Sequence, residues 1–300
     1  MAIAPGAKCE ACGEPGRVER FLQLTDVVVD RCGRCGFVFL GGERSVESES
    51  DLYQCDHFEG GWAEAFDGKA VVEEQVESAS TMLKLGGAEL RDYPPESAAL
   101  DIGCARGHLL RALGSATGWQ ELAGIDVSPQ MIEVGRREFG LDLRCGAVEE
   151  AELPRDHYQL ITMFDVLEHL ASPRAALVKL MSVLRPGGWL IIEVPSETTA
   201  FRVLTRWAFH VSGGRIRGPL QQLYHRNHLS YFTKASLKTL LGSVGAERVV
   251  VTTKEAHITR FGAHNYSPGK RAVIRAVCLL DRVLGTQAKL LVACRRPAGT

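Results

Sequence analysis

The sequence lacks any stretch apolar enough for long enough to span a bilayer. Its start, Met1-Ala2-Ile3-Ala4-Pro5-Gly6-Ala7-Lys8, lacks the basic opening and apolar core of a signal peptide. It lacks a charge excess too. Thirty-five Lys and Arg face 36 Asp and Glu, for a formal net charge of −1. Nothing therefore pulls the chain as a whole toward nucleic acid or acidic membranes, although this leaves a local patch open. An even cysteine count is also missing. The nine cysteines, without a leader, argue against a disulfide framework and for a reducing compartment, so the protein reads as cytoplasmic. Internal repeats and low-complexity tracts are absent, and nothing sets an oligomeric state. What remains is ordinary: 300 residues, 45% hydrophobic and 24% charged. That is enough for one large α/β domain and a small accessory module.

Short apolar runs alternate with helical patterns from residue 96 onward. Strands are expected at Ala98–Ile102, Leu122–Asp126, Leu141–Cys145, Leu160–Phe164 and Trp189–Val194, with helices at His108–Leu113, Pro129–Phe139 and Arg174–Leu184 between them. The tail adds a helix at Ser236–Val244, a strand at Arg248–Thr253, a helix at Arg271–Leu284 and a strand at Lys289–Cys294. This order predicts a Rossmann-like α/β fold, a mostly parallel seven-stranded sheet with helices on both faces. Residues 1–45 form a predicted zinc-binding module. Residues 46–95 carry an acidic linker (43–51) and a helix from about 64 to 92, stopped by Pro94-Pro95. Residues 96–300 form the main domain, with an insert at about 198–228.

Cys9-x-x-Cys12 is followed, nineteen residues on, by Cys32-x-x-Cys35. Two thiolates from each tight turn complete a tetrahedral zinc site, the strongest metal signal in the chain. A redox CxxC comes once, at a helix start beside a βαβ unit. Val18–Leu24 and Val27–Arg31 supply a hairpin between the pairs. A closed four-cysteine site is structural. It stabilises a segment too short for a core of its own, and either supports the fold or also touches substrate.

Asp101-Ile102-Gly103-Cys104-Ala105-Arg106-Gly107 follows a strand and opens a helix, and its glycines allow a tight turn and close approach of a ligand. Asp126 ends the next strand, where an acid can take up both ribose hydroxyls. The G-x-G-x-x-G spacing of a dinucleotide site is missing after Gly103. A Rossmann domain that binds nothing is the remaining bland reading.

This arrangement resembles the class I S-adenosylmethionine-dependent methyltransferases over roughly residues 95–250. The glycine turn is similar to that family's first motif. Gly124-Ile125-Asp126-Val127-Ser128 with Met131 is similar to its second. Phe164-Asp165-Val166-Leu167-Glu168-His169-Leu170 and Leu184-Arg185-Pro186-Gly187-Gly188 follow in the family's order. The resemblance implies S-adenosylmethionine as donor. Asp101 and Gly103 would lie near its methionine end, Asp126 would hold the ribose, Ala147 and Val148 would lie along the adenine, and Ala105, Gly107, Val127 and Met131 would also border the donor. Phe164 would lie near the sulfonium. Ala105 stands where many members have a second glycine, which is tolerable if the backbone there avoids positive φ. Gln159 stands where an aspartate often begins the strand.

Methyl transfer is an in-line displacement aided by orientation and, for a hydroxyl acceptor, by a base. If a helix begins at Asp165, then Asp165, Glu168 and His169 share one face. The trio resembles the acidic-x-x-Glu-His motif of ubiquinone-pathway O-methyltransferases, which implies a possible second divalent metal. One carboxylate pair and one imidazole make an incomplete shell, which favours simple bracing of the site. His225-Arg226-Asn227-His228-Leu229-Ser230-Tyr231-Phe232 resembles the acceptor-side segment of small-molecule methyltransferases, with His228 as base or hydrogen-bond partner ahead of His225, Tyr231 and His169. A packed loop with a partly buried histidine is the plain alternative. The insert carries Phe201, Trp207, Phe209, Arg202, Arg206, Arg215 and Arg217, with Ser212-Gly213-Gly214 as a hinge. It reads either as a lid whose arginines grip an anionic acceptor or as an amphipathic helix packed on the sheet.

The four cysteines, Leu52-Tyr53 and the His228 segment together resemble zinc-containing methyltransferases of sugar, surface-polysaccharide and secondary-metabolite pathways. The expected partner is thus a small-molecule acceptor, with oxygen favoured over nitrogen or carbon. A nucleic-acid or protein methyltransferase using the ribbon as reader ranks lower, because Lys8, Arg17, Arg20, Arg31 and Arg34 are offset by Glu10, Glu14, Glu19, Asp26 and Asp30. A non-catalytic donor-binding protein ranks last, since Asp101, Gly103, Gly107 and Asp126 are all kept.

Overall fold

A computed structural model describes residues 8–15, 17–25, 27–41, 69–255 and 267–299. The acidic linker, Leu52-Tyr53, Cys55 and the start of the helix expected from 64 lie outside the described residues.

Five parallel strands form one side of the main sheet: β4 (Ala98–Ile102), β5 (Glu121–Asp126), β6 (Asp142–Cys145), β7 (Tyr158–Phe164) and β8 (Leu184–Pro195). β11 (Lys289–Arg295) runs antiparallel between β8 and β10 (Glu247–Lys254). The strand order is β10-β11-β8-β7-β4-β5-β6, the seven-stranded, mostly parallel sheet that the alternating pattern predicts. β8 begins five residues before the expected Trp189. Tyr158 pairs with Leu184 and Leu160 with Trp189, so a bulge absorbs Arg185-Pro186-Gly187-Gly188 within the ladder.

The inner strands are continuous apolar runs because helices cover both faces. Period-two alternation sorts their side chains into two cores. Leu100, Ile161, Met163, Leu190, Ile192 and Val292 face one side. Ala99, Leu160, Phe164, Trp189, Ile191 and Leu291 face the other. Helix α1 (Lys69–Leu85) and α2 (His108–Thr117) cover the second side through Met82, Leu83, Leu110 and Leu113. α3 (Pro129–Phe139) adds Ile132 there. α4 (Pro173–Val183) and α7 (Lys234–Ser243) cover the first through Leu177, Leu180, Leu237 and Leu240. Ser128, Ser172 and Thr233 each cap the helix that follows by accepting a backbone N–H. The insert supplies α5 (Ala200–Val211) and α6 (Gly218–Leu223), and α8 (Pro268–Leu284) packs beside α5.

The N-terminal hairpin is β1 (Val18–Gln23) with β2 (Val28–Cys32), and β3 (Val38–Leu40) extends it. This ribbon is completed from the far end of the chain. β9 (Ser230–Tyr231), inside the His228 segment, pairs with β3 and makes a four-stranded antiparallel sheet. Phe37 packs on Phe232 with ring centroids 5.5 Å apart. Glu10, between the first two cysteines, accepts hydrogen bonds from the Ser172 hydroxyl (2.9 Å) and the Arg174 amide (3.4 Å) at the start of α4.

Candidate functional site

The chain enters β4, crosses to β5 and β6 on one side, then returns to β7 on the other. Ligands bind open α/β sheets at such a reversal, beyond the carboxyl ends of the strands. Three loops meet there.

The first is the glycine turn. Gly103 and Gly107 hold φ of 75° and 84°, conformations that suit glycine. A Cβ on Gly103 would stand 2.3 Å from Cγ2 of Val166, so this loop lies directly against the segment after β7. Ala105 also sits at positive φ, 45°. The condition under which alanine would be tolerated freely is therefore not met, and the strain costs on the order of 1 kcal/mol. Its amide is held in compensation by Asp126 Oδ2 at 2.9 Å, while Asp126 Oδ1 accepts from the Ser128 amide at 2.8 Å. Burial raises the Asp126 pKa, and these N–H groups pull it back. Each carboxylate oxygen keeps a further lone pair. Val127 and Met131 lie at the adjoining start of α3, and Ala147 and Val148 follow Gly146, whose amide bonds to the Asp126 carbonyl at 2.9 Å. Phe164 is buried at the end of β7.

Asp101 lies under the turn, 4% exposed, accepting the Thr162 hydroxyl at 2.6 Å. Burial pushes its carboxyl up to about 7, the Thr162 bond opposes this, and the charge of Asp126 adds to it. A carboxyl raised in the folded state binds its proton more tightly there than in the unfolded chain. Its contribution to stability is whole below the ordinary value of 3.8 and is lost as pH rises through about 7. The donor-free protein should therefore lose stability between about pH 4 and pH 7. Denaturant midpoints across that range should fall less steeply in Asp101→Asn, and an unchanged slope in the variant would refute this assignment.

The second loop follows β7. Asp165 sits at φ 55°, and the next residues make only a three-residue 3-10 turn, Leu167–His169. The expected helical face is thus corrected: a single tight turn does not align Asp165 with Glu168 and His169. Asp165 instead pairs with Lys289 on β11, and Lys289 also lies 3.7 Å from Glu193. Burial alone would lower the Lys289 pKa, but the Asp165, Glu193 and Glu168 carboxylates outweigh it and raise it. Lys254 continues this chain of charges, 2.9 Å from Glu193 and 2.6 Å from Glu74. Lys289 and Glu193 escape a reading of local motifs. The one signal is Glu193 itself, an acid inside the apolar run Trp189–Val194.

The third loop is the His228 segment, tied to the second by the Leu229 amide on the Glu168 carbonyl at 2.8 Å. The rings of His169 and His228 have centroids 4.8 Å apart, those of His225 and His228 4.2 Å, and those of His228 and Tyr231 6.3 Å. All four expected acceptor-side residues are thus brought together. His169 Nδ1 donates to the Asn227 carbonyl at 2.6 Å, which leaves Nε2 with a free lone pair. Burial lowers the pKa of His169 and His228, and for His228 the closeness of the His169 and His225 rings and the charges of Arg202 and Lys289 add to the effect. Both are neutral imidazoles at neutral pH. Glu168 is 1% exposed, and its Oε2 has no hydrogen-bond partner among the described residues. Burial, then the charge of Asp165, push its carboxyl up to about 8. One ligand atom each from Glu168, His169 and His228 lies within 4.8 Å of the others. The two-imidazole, one-carboxylate set therefore takes its third member from His228 in place of Asp165.

The chain from residue 79 to residue 251, more than half of it, matches the methyltransferase domain. It belongs to that family. As an S-adenosylmethionine-dependent methyltransferase by family, it is similar to the ubiquinone biosynthesis O-methyltransferase of Burkholderia vietnamiensis, 26% identical over 223 residues, covering 72% of this chain and 85% of the relative. The mitochondrial ubiquinone biosynthesis O-methyltransferase of Schizosaccharomyces pombe is 33% identical over 114 residues, 35% of this chain and 40% of the relative. Over such shorter matches the methyltransferase spans about half the length of its curated relatives. In fold it is similar to an S-adenosylmethionine-dependent methyltransferase from Archaeoglobus fulgidus, with a TM-score of 0.51 at 19% identity, covering 78% of this chain and 97% of the other.

In the ribbon of this methyltransferase, one sulfur from each of Cys9, Cys12, Cys32 and Cys35 lies within 4.8 Å of the rest. Cys9 and Cys35 sulfurs are 3.7 Å apart. That is far beyond a disulfide and close to the edge, about 3.8 Å, of a tetrahedron with metal–sulfur bonds of about 2.3 Å. Burial raises the Cys9 pKa and brings Cys35 up to about 11. A cation among the four sulfurs would offset that cost by favouring thiolates.

Proposed function

We propose that the protein transfers the methyl group of S-adenosylmethionine to a hydroxyl oxygen of a small molecule. The observation that carries this reading is the contact of the glycine turn with the segment leading into Glu168 and His169, which sets the donor loop beside the histidine cluster. In this reading Asp126 accepts the ribose hydroxyls on its remaining lone pairs, Gly103 and Gly107 let the methionine end approach the backbone, and Val127, Met131, Ala147 and Val148 line the nucleoside. Asp101 acts from below by holding the turn through Thr162.

The acceptor lies against His228. A neutral imidazole takes the hydroxyl proton, the oxygen attacks the methyl carbon, and the carbon–sulfur bond breaks with its electron pair going to sulfur. The His169–Asn227 bond fixes the tautomer of the neighbouring ring. Tyr231 and His225 bound the pocket. Glu168, His169 and His228 also fit a divalent ion, because the buried, partnerless oxygen of Glu168 is costly until a cation or proton meets it. With such an ion bound, the one lone pair of His228 would be a ligand, and the ion's Lewis acidity toward the acceptor oxygen would stand in for the base. The four cysteines are read as a structural zinc site.

The ribbon's own ion pairs favour a small molecule over nucleic acid. Arg20 pairs with Asp30 at 2.8 Å, and Arg31 with Glu19 and Arg34 with Glu14 at 3.4 Å each. The test is incubation with labelled donor and a cell extract split into small-molecule and macromolecular fractions. Label is expected in the small molecules and should fall at least about 100-fold in His228→Ala, with donor affinity retained. Label confined to RNA or protein would overturn the substrate class, and full activity in His228→Ala would overturn the assignment of the base.

A further inference from the structure

A surface helix ordinarily turns its polar face to water. α5 does the reverse. Arg202 and Arg206 point inward, where Glu197 accepts from Arg206 and from the Tyr224 hydroxyl, and Arg202 Nη1 lies 3.1 Å from Glu197. Arg202 is also stacked over Tyr224 and Tyr231, 5.0 and 5.4 Å from their centroids. These two arginines are therefore unavailable to grip an acceptor, which corrects that part of the lid expectation. The outer face of α5 carries Leu204, Trp207 and Val211 at helical spacing, with Trp207 65% and Val211 66% exposed.

α8, which packs beside α5, also exposes apolar side chains. Leu279 and Val283 are exposed one turn apart, Val283 at 76%. On the inner side of the same helix Asp281 accepts the Ala200 amide at 2.6 Å, which pins α8 to the start of α5. All but two of the large apolar side chains left exposed among the described residues belong to α5, α8 or the turn after α5. Exposed apolar side chains gathered on two neighbouring helices mark a contact site.

The charges around it say what it contacts. From Thr198 to Ala246 the sequence holds no Asp or Glu, and besides the inward-facing Arg202 and Arg206 it holds five Arg and Lys, in a chain of net charge −1. Arg215 and Arg217 are exposed just past α5, and Arg275 and Arg282 are exposed on α8, Arg282 lying 3.2 Å from Glu255. An apolar centre bearing a tryptophan with a cationic rim is the composition of helices that lie in the headgroup region of anionic bilayers. A second copy, seated by a two-fold axis, would set this arginine rim against itself. No helix among the described residues is long and apolar enough to cross a membrane, so the contact would be peripheral.

We propose that the joint outer face of α5 and α8 docks the protein on an anionic lipid surface, with Leu204, Trp207, Val211, Leu279 and Val283 at the acyl boundary and the arginines on lipid phosphates. The test is sedimentation of the full chain with phosphatidylcholine vesicles, with and without phosphatidylglycerol. Binding is expected only with phosphatidylglycerol, weakening as salt rises. It should fall about tenfold or more in Trp207→Glu/Val283→Glu, and the lipid preference should be lost in Arg215→Ser/Arg217→Ser. Trp207→Phe should still sediment but lose the blue shift of fluorescence on binding. Donor affinity by calorimetry serves as the control for folding. Absence of binding to phosphatidylglycerol vesicles, or binding unchanged in Trp207→Glu/Val283→Glu, would overturn the proposal. A dimer in sedimentation velocity that this pair abolishes, without lipid binding, would assign the face to a second copy instead.

Discussion

Asp126→Ala should bind S-adenosylmethionine at least about 100-fold more weakly than the parent protein, with the fold intact. Two losses combine. The carboxylate anchors the Ala105 and Ser128 amides, and in the proposed site it also receives the ribose hydroxyls. A hydrogen bond to a charged group contributes about 1.5–3 kcal/mol, so losing two at the ligand alone reaches that factor. Calorimetry measures it directly, and circular dichroism checks the fold. Asp126→Asn should fall between the two, because a carboxamide keeps the shape but offers one acceptor oxygen in place of two. Affinity in Asp126→Ala within about threefold of the parent, a difference below about 0.7 kcal/mol, would remove Asp126 from the donor site.

Stripping metal from the cysteine cluster should abolish most methyl transfer while leaving donor affinity within about twofold. Structural zinc supplies roughly 10–16 kcal/mol of folding free energy in small cysteine modules. Without it, β1 to β3 have little to hold them. The damage should reach the acceptor side, since β3 pairs with β9 and the Leu40 amide bonds to the Leu229 carbonyl, one residue from His228. The donor loops rest on the main sheet and should be spared. Chelator treatment of the parent protein, with Cys32→Ser as a second probe, separates the two effects: labelled-methyl assays follow activity and calorimetry follows donor binding. Retained activity in metal-free protein would show that the ribbon does not support the acceptor side.

The parts of this protein that the sequence discloses are those whose physics is local. The glycine turn, the acid closing the next strand and the alternation of strand and helix each follow from neighbours a few positions apart, and the mostly parallel sheet follows from them. Each CxxC pair is local in the same way, and the four sulfurs gather as the two pairs suggest. The failures lie where partners are remote. Asp165, Glu168 and His169 fit a helical face on paper, but the chain makes a 3-10 turn there and sends Asp165 to Lys289, more than a hundred positions away. Nothing beside Ala105 in the sequence shows that its backbone takes positive φ, where the Asp126 bond holds it. The insert shows amphipathic spacing but not its sign: which face of α5 turns inward is decided by Glu197 and Tyr224. β9, two residues long, has no pattern of its own.

The pairing of β3 with β9 also bears on how the chain is made. Val38 meets Tyr231, roughly 190 positions later, a contact whose large loop-closure cost makes it slow to form. During synthesis the cysteines emerge first and can gather a metal at once, but the fourth strand of their sheet is supplied only after most of the methyltransferase domain has been translated. The ribbon thus presents an unpaired strand edge through most of translation, a surface exposed to mispairing. Its final closure comes only after all five parallel strands of the main sheet have been made.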